Sequence, residues 1–239
     1  QMYGNDLKIA WPATLQGLML QFMTAIDLAM VGALGASALA SVGIMGQPEM
    51  VMLIFCRALS IAVTAIIARR HGESEVDGMN AVLKQSILLN FLIYVPLLAI
   101  CFFNLEHILR FTGAEDGYIE TAVWYGRFVV ISLIFQSFSQ IVGAALIGYG
   151  NTKVIFKSNV VGNILNTIMN FFLIYGIGFF PELGVMGAGV STMISSAVIA
   201  ILLLRTISQH TTTGLTLRHP SKWKFERTVL HTMFHVGGS

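Results

Sequence analysis

A chain of 239 residues that is 55% hydrophobic and only 11% charged cannot clothe itself in a soluble surface. An average globular protein carries about 25% charged side chains. The mean hydropathy of +0.75 agrees, and the composition describes an integral membrane protein. A net charge of +2 on dispersed basic residues argues against a nucleic-acid partner. Cys56 and Cys101 sit in separate apolar runs, giving neither a disulfide framework nor a metal-ligand spacing. No basic-then-apolar leader with a cleavage site is read, so no signal peptide is expected.

A bilayer core takes about 20 apolar residues in a helix. Six stretches meet that length: 9–34, 40–68, 82–103, 122–147, 154–177 and 184–204. Runs such as IAVTAIIA and AVIAILLL lack the alternation of barrel strands, so an all-α six-helix bundle is predicted. Alternate loops gather Lys8, Arg69, Arg70, Lys84, Lys153, Lys157, Arg205, Arg218, Lys222, Lys224 and Arg227 on one side. The opposite loops hold Arg110 among Glu106, Glu115, Asp116, Glu120 and Glu182. The positive-inside rule then predicts an inner-membrane protein with both termini cytoplasmic. Residues 1–206 form the membrane unit. Residues 207–239 read as a cytoplasmic linker, in which Trp223, Phe225, Val229, Leu230, Met233 and Phe234 suit an interfacial amphipathic helix. The closing FHVGGS reads as the start of a seventh span.

Ionisable side chains at membrane depth cost about 2.5–3.5 kcal/mol on insertion scales, so each one needs a reason. Asp27, Glu49 and Arg57 lie well inside spans, and Arg127 lies near a span end, where it can snorkel. Asp27 shares an arc of about 120° with Gly17, Gln21 and Thr24. A carboxylate among hydrogen-bonding groups can exchange a proton or hold a small cation. Its alternative is an acid reaching interfacial water.

The fifth span carries Asn159, Asn163, Asn166 and Asn170 at spacings that stack the amides on one face. Such a stripe lines an aqueous cavity, or else glues helices together. Ser132, Gln136 and Gln140 repeat the pattern in the fourth span, and Thr192, Ser195 and Ser196 in the sixth. Glu49, Arg57, Ser60 and Thr64 fall within about 80° of one another on the second span. Glu49 is thus either a second carboxylate of the Asp27 site or a solvated vestibule acid. Phe22, Met23 and Met30 would supply apolar cavity walls. Pro12, Pro48 and Pro96 invite kinks.

Several stretches resemble the multidrug and toxic compound extrusion (MATE) family of antiporters. They are Ala10-x-Pro12 followed by AIDLAMVGALGASALASVG, then AIIARRHGE, ALIGYGNTK, NVVGNILNTIMNFFLIYG and LGVMGAGVSTMIS. Their order and spacing together carry the resemblance. It implies one six-helix lobe of a two-lobe, twelve-helix transporter. The partner would be a further C-terminal six-helix lobe of parallel orientation, or a second copy of this chain. Asp27 matches the family's acidic coupling residue, Asn166, Asn170 and Thr192 match polar positions around it, and Pro12 matches a bending proline. Many relatives carry Asp where this chain has Asn170. The resemblance further implies export of small organic cations driven by proton or sodium, with no cofactor beyond that ion and Na+ a candidate occupant of the Asp27 site.

Three rivals stand beside this reading. Gly189-Val190-Ser191-Thr192 resembles the Gly-x-Ser of intramembrane serine proteases, yet His71, His107, His210, His219, His231 and His235 all fall in loops or the tail. A general base is then lacking, and no enzyme is expected. A lipid-linked sugar flippase would want several cavity cations, where only Arg57 is deep. A non-transporting membrane subunit is the third.

Overall fold

The computed structural model describes residues 21–209 and 214–217. Among them every regular element is a helix: α1 (Gln21–Gly32), α2 (Ala36–Gly43), α3 (Gly46–Gly72), α4 (Val76–Phe103), α5 (Leu105–Phe111), α6 (Ile119–Tyr149), α7 (Thr152–Tyr175) and α8 (Val185–Ser208). The Pro12 bend, Gly17, the first half of the first span and the amphipathic tail fall outside the described residues.

Among the described residues, four stretches are long and apolar enough to cross a bilayer: α2 with α3, then α4, α6 and α8. Helix α7 has the length, at 24 residues, or about 36 Å. Its stripe of asparagines keeps it below that apolarity. The predicted second span is corrected. It breaks at Ile44–Met45 into a short α2 and a long α3. The third begins six residues early, at Val76, which places Lys84 two turns inside a helix and buries it at 1% exposure. Lys84 is therefore a core residue and not a loop cation. The sixth helix runs on to Ser208. The short α5 was not predicted; Arg110 at its end bridges Glu106 (3.1 Å) and Asp116 (2.6 Å) at the surface, where such pairs contribute little.

Helix α6 is the spine of the bundle, packed on α3, α4 and α8, while α7 packs on α8. Helices α3 and α6 run parallel, and their contacts step along both together. Met45 meets Gly126, Cys56 Sγ lies 3.6 Å from the Ser137 carbonyl, Thr64 Oγ1 donates to the Ala144 carbonyl at 3.1 Å, and His71 stacks on Tyr149 at 4.6 Å. Helix α4 is tied to this pair by Tyr94, whose hydroxyl donates to the Met52 carbonyl at 2.6 Å, and by Asn90, which donates to Ser137 Oγ at 3.0 Å. Helix α1 docks through Val31 on Ile174, Val185 and Ala188, with the Tyr175 hydroxyl on the Met30 carbonyl at 2.9 Å. Beyond α8, Asn80 clasps the chain from both sides: it donates to the Gly214 carbonyl (2.9 Å) and accepts from the Thr216 N–H (2.6 Å). Leu215 is wholly buried there.

Lipid offers no hydrophobic drive between helices, so close backbone approach through small residues does the work. A side chain at Gly148 would place its Cβ 2.6 Å from the Thr64 carbonyl of α3, and one at Gly187 would meet the Leu173 carbonyl of α7 at the same distance. Helix α6 ends in a left-handed residue, Gly150 at φ 91°, and α7 in Gly176 at φ 65°, where a Cβ would be strained.

Two glycines of α6 give a test. Gly148→Ala should lower stability by about 1–3 kcal/mol through overpacking. Gly143→Ala, with nothing within 4 Å of its Cβ, should be neutral or stabilising by about 0.5–1 kcal/mol. Melting of the detergent-solubilised protein reads both, and equal melting temperatures would contradict the tight α3–α6 crossing.

Candidate functional site

An open cavity of about 720 Å³ runs along the bundle between α1, α3, α6, α7 and α8. The helix directions set its levels. The start of α3, the start of α6 and the ends of α1 and α7 share one level, as Met45 with Gly126 and Tyr175 with Met30 show. Asp27, Glu49 and Tyr125 line the cavity near that level, and Gln136, Gln140 and Asn163 line its middle. Isoleucines and Leu203 line the other end, where α3, α6 and α8 finish and α7 begins.

Asp27 is the best-supported polar group in the cavity. Asn170 Nδ2 donates to its Oδ1 at 2.8 Å. The Asn166 amide satisfies both of its ends in one orientation, donating to Asp27 Oδ2 at 3.0 Å while its oxygen accepts from the Thr192 N–H at 3.2 Å. Hydrogen bonding selects this orientation, because amide nitrogen and oxygen have nearly the same shape. The hydroxyls of Thr192 and Ser195 lie 3.4 Å from the same amide atom. Each carboxylate oxygen therefore receives one amide N–H. Asn170 is itself fixed from behind: Ser191 Oγ donates to its Oδ1, and both residues are buried.

The predicted stripe of α7 thus divides. Asn159, Asn163 and Asn166 line the cavity, while Asn170 sits behind Asp27. Thr24, Glu49, Gln136, Gln140, Thr192, Ser195 and Ser196 line it too. The hydroxyls of Ser60, Thr64, Thr192 and Ser195 also bond carbonyls of their own helices, which spares the bundle unsatisfied donors.

Three expectations are corrected. Gln21 is exposed and does not line the cavity, because it lies almost two turns below Asp27 on α1. Phe22, Met23 and Met30 are likewise absent from its walls; Met30 borders a separate apolar groove with Ile26, Thr167, Ile168, Phe171 and Phe172. Arg57, at the edge of the α3 polar arc, is exposed outside the cavity. Arg127, half-buried near the start of α6, has its guanidinium 4.9 Å from the Trp124 ring centroid and 5.7 Å from that of Phe102, a cation–π arrangement.

Two residues escaped the sequence reading as site members. Ser191 drew notice only for the Gly-x-Ser pattern, although its partner is Asn170. Tyr125 was one aromatic among many, with no spacing to mark it.

The comparisons with known proteins agree with this architecture. The MatE family model matches residues 12–172, well over half of the chain. The chain belongs to the MatE family. Curated relatives include the multidrug resistance protein NorM of Vibrio cholerae, 26% identical over 84% of this chain and 44% of its own length. The probable multidrug resistance protein NorM of Thermotoga maritima is 26% identical over 95% of this chain and 49% of its own. This MatE chain spans about half the length of the relatives it matches. Its fold matches a MATE crystal structure in the straight conformation with a TM-score of 0.85 at 23% identity, covering 97% of this chain and 50% of that one. An inward-facing multidrug resistance MATE family transporter matches with a TM-score of 0.81 at 24% identity, over 90% and 48%.

Because Asn170 is buried between Asp27 and Ser191, Asn170→Ala should destabilise this MatE protein by about 1–3 kcal/mol. Asn163→Ala, facing the open cavity, should leave stability nearly unchanged. Thermal melts in detergent compare the two; equal losses would mean that Asn170 is not the better satisfied amide.

Proposed function

We propose that this chain is one lobe of a cation-coupled antiporter that exports amphipathic organic cations by alternating access. The observation that carries the reading is the charge character of the cavity. Among the described residues its acidic lining groups are Asp27 and Glu49, and no Lys or Arg lines it. A low-dielectric recess of that kind favours cations and penalises anions. It also disfavours the flippase reading, since phosphate-bearing lipids call for cavity cations. The names of its relatives are those of transporters, which accords with a non-enzymatic role. Ser191, the serine of the protease-like segment, is buried against Asn170.

Asp27 is the proposed coupling residue, with Asn166, Asn170 and Thr192 around it. An amide can present either N–H or oxygen. Asn166 can therefore donate to the ionised acid or accept from the protonated one, while Ser191 keeps Asn170 in place. Proton coupling suits this set better than sodium, which seeks several oxygen ligands; here both amides turn nitrogen towards the carboxylate. In this reading the second wall of the pathway comes from a further six-helix lobe or a second copy. Membrane lipid surrounds the bundle, and Pro12 serves as the bending point of the first helix.

Proteoliposomes containing the two-lobe protein should accumulate a fluorescent organic cation only under an imposed proton or sodium gradient. Asp27→Asn keeps shape and removes charge, and should abolish that uptake while leaving expression and melting intact. Gradient-independent uptake of equal size would refute antiport. Wild-type pumping by Asp27→Asn would refute the coupling assignment.

The proposed orientation places both termini in the cytoplasm of a cell whose inner membrane holds the protein. Phe111 and Phe179 are almost fully exposed on the side away from Glu73. In a background with Cys56 and Cys101 replaced by Ser, Phe179→Cys should react with an impermeant maleimide on intact spheroplasts. Glu73→Cys should react only after permeabilisation, and the reverse pattern would invert the topology.

A further inference from the structure

We propose that Glu49 selects substrates by charge, and that an amphipathic cation lies lengthwise in the cavity with its charged end at Glu49 and its apolar end among Ile147, Ile155 and Leu203. This rests on the antiporter reading and adds a residue and a binding pose to it.

The two carboxylates of the cavity are supported very differently. Asp27 receives an amide N–H on each oxygen. The carboxylate of Glu49, in the first turn of α3, has no hydrogen bond and no ion pair within 4.0 Å among the described residues. Arg57, the cation of the same helix arc, lies eight residues further along α3, about 12 Å, and is not among the residues that line the cavity. A carboxylate at membrane depth without a bonding partner is costly. Such a group is retained where something else supplies the partner, and here it opens onto a cavity large enough for a drug-sized molecule. Asp27 has its ligands already, so the unmatched charge is the one left for the substrate.

The cavity wall also changes character along its length. Helix α3 presents Glu49 near its start and Ile61 twelve residues later, a separation of about 18 Å. Helix α6 presents Tyr125 near its start and Ile147 near its end. Helix α8 goes from Thr192 to Leu203, and antiparallel α7 from Asn166 back to Ile155. Helices α6, α7 and α8 therefore grade in the same sense, from polar to aliphatic, while α3 sets Ile61 between Ser60 and Thr64. Tyr125 of α6 lines the cavity near the level of both acids, and an aromatic ring there attracts a delocalised cation. A molecule with one cationic end and an apolar body matches this gradient in one direction only.

The test uses the two-lobe protein in proteoliposomes, with ethidium as monocation and propidium as dication. Glu49→Gln should raise KM for ethidium about tenfold or more, as expected for losing one charge-assisted contact. The loss should be larger for propidium, with maximal rate and ions exchanged per cation unchanged. Without any substitution, saturating ethidium should protect Glu49 of the wild-type protein from carbodiimide modification, read by peptide mass spectrometry. Unchanged KM for both dyes, or modification of Glu49 undiminished by ethidium, overturns the assignment alone. A fall in ion stoichiometry at unchanged KM also overturns it, making Glu49 a coupling residue. If the wild-type protein moves neither dye under any gradient, the antiporter reading falls, and this inference with it.

Discussion

A charge placed among membrane helices has no water to fall back on, and the arrangement around Asp27 follows from that. Two amides from α7 reach its oxygens, one of them held from behind by Ser191 of α8. These bonds need α1, α7 and α8 at one level, so satisfying a single carboxylate fixes the register of three helices. The apolar docking of Val31 on Ile174, Val185 and Ala188 works in the same place and the same sense. Removing a donor from such a set leaves a buried group unsatisfied, which costs more than the bond itself contributes.

The rest of the bundle is built to leave the cavity open. Helices α3 and α6 touch almost backbone to backbone at Gly148, and α7 and α8 at Gly187. Helix α4 seals the far side, with Tyr94 and Asn90 tied to α3 and α6. Helix α7, by contrast, packs chiefly on α8. A block of α3, α4, α6 and α8 thus holds α7 along one edge, facing α3 and α6 across a polar gap. Small residues where helices must touch and amides where they must not is a division that lipid, being as apolar as Leu, cannot impose unaided.

The cavity and Asp27 are linked by the same asparagine stripe. Asn159 and Asn163 face open space, Asn166 faces both the space and Asp27, and Asn170 lies behind, against Asp27, Asn166 and Ser191. A change at Asp27 therefore meets the cavity wall through Asn166. The exchange proposed above requires that continuity, since ion and substrate must sense one another through shared contacts.

Much of this was legible in the sequence, for reasons of periodicity. Lipid forces spanning segments to be long and apolar, so the helices could be read from composition. The 3.6-residue repeat could likewise place four asparagines on one face. Asp27 stood out because a charge at depth is costly, and the family resemblance tied it to Asn166, Asn170 and Thr192. Periodicity is a property of one helix at a time, however, and does not say which neighbour a face meets. Hence Gln21 was grouped with Asp27 although it lies too far down α1 to reach the cavity. Arg57 was grouped with Glu49 although it falls at the edge of the arc, outside the lining. Lys84 was counted as a loop cation because the early start of α4 leaves no apolar signal. The break at Ile44–Met45, the pairing of Ser191 with Asn170 and the isolation of Glu49 arise from contacts between residues far apart in the chain. Only the packed bundle decides those, since each depends on the distance between helices and not on the order of residues within one.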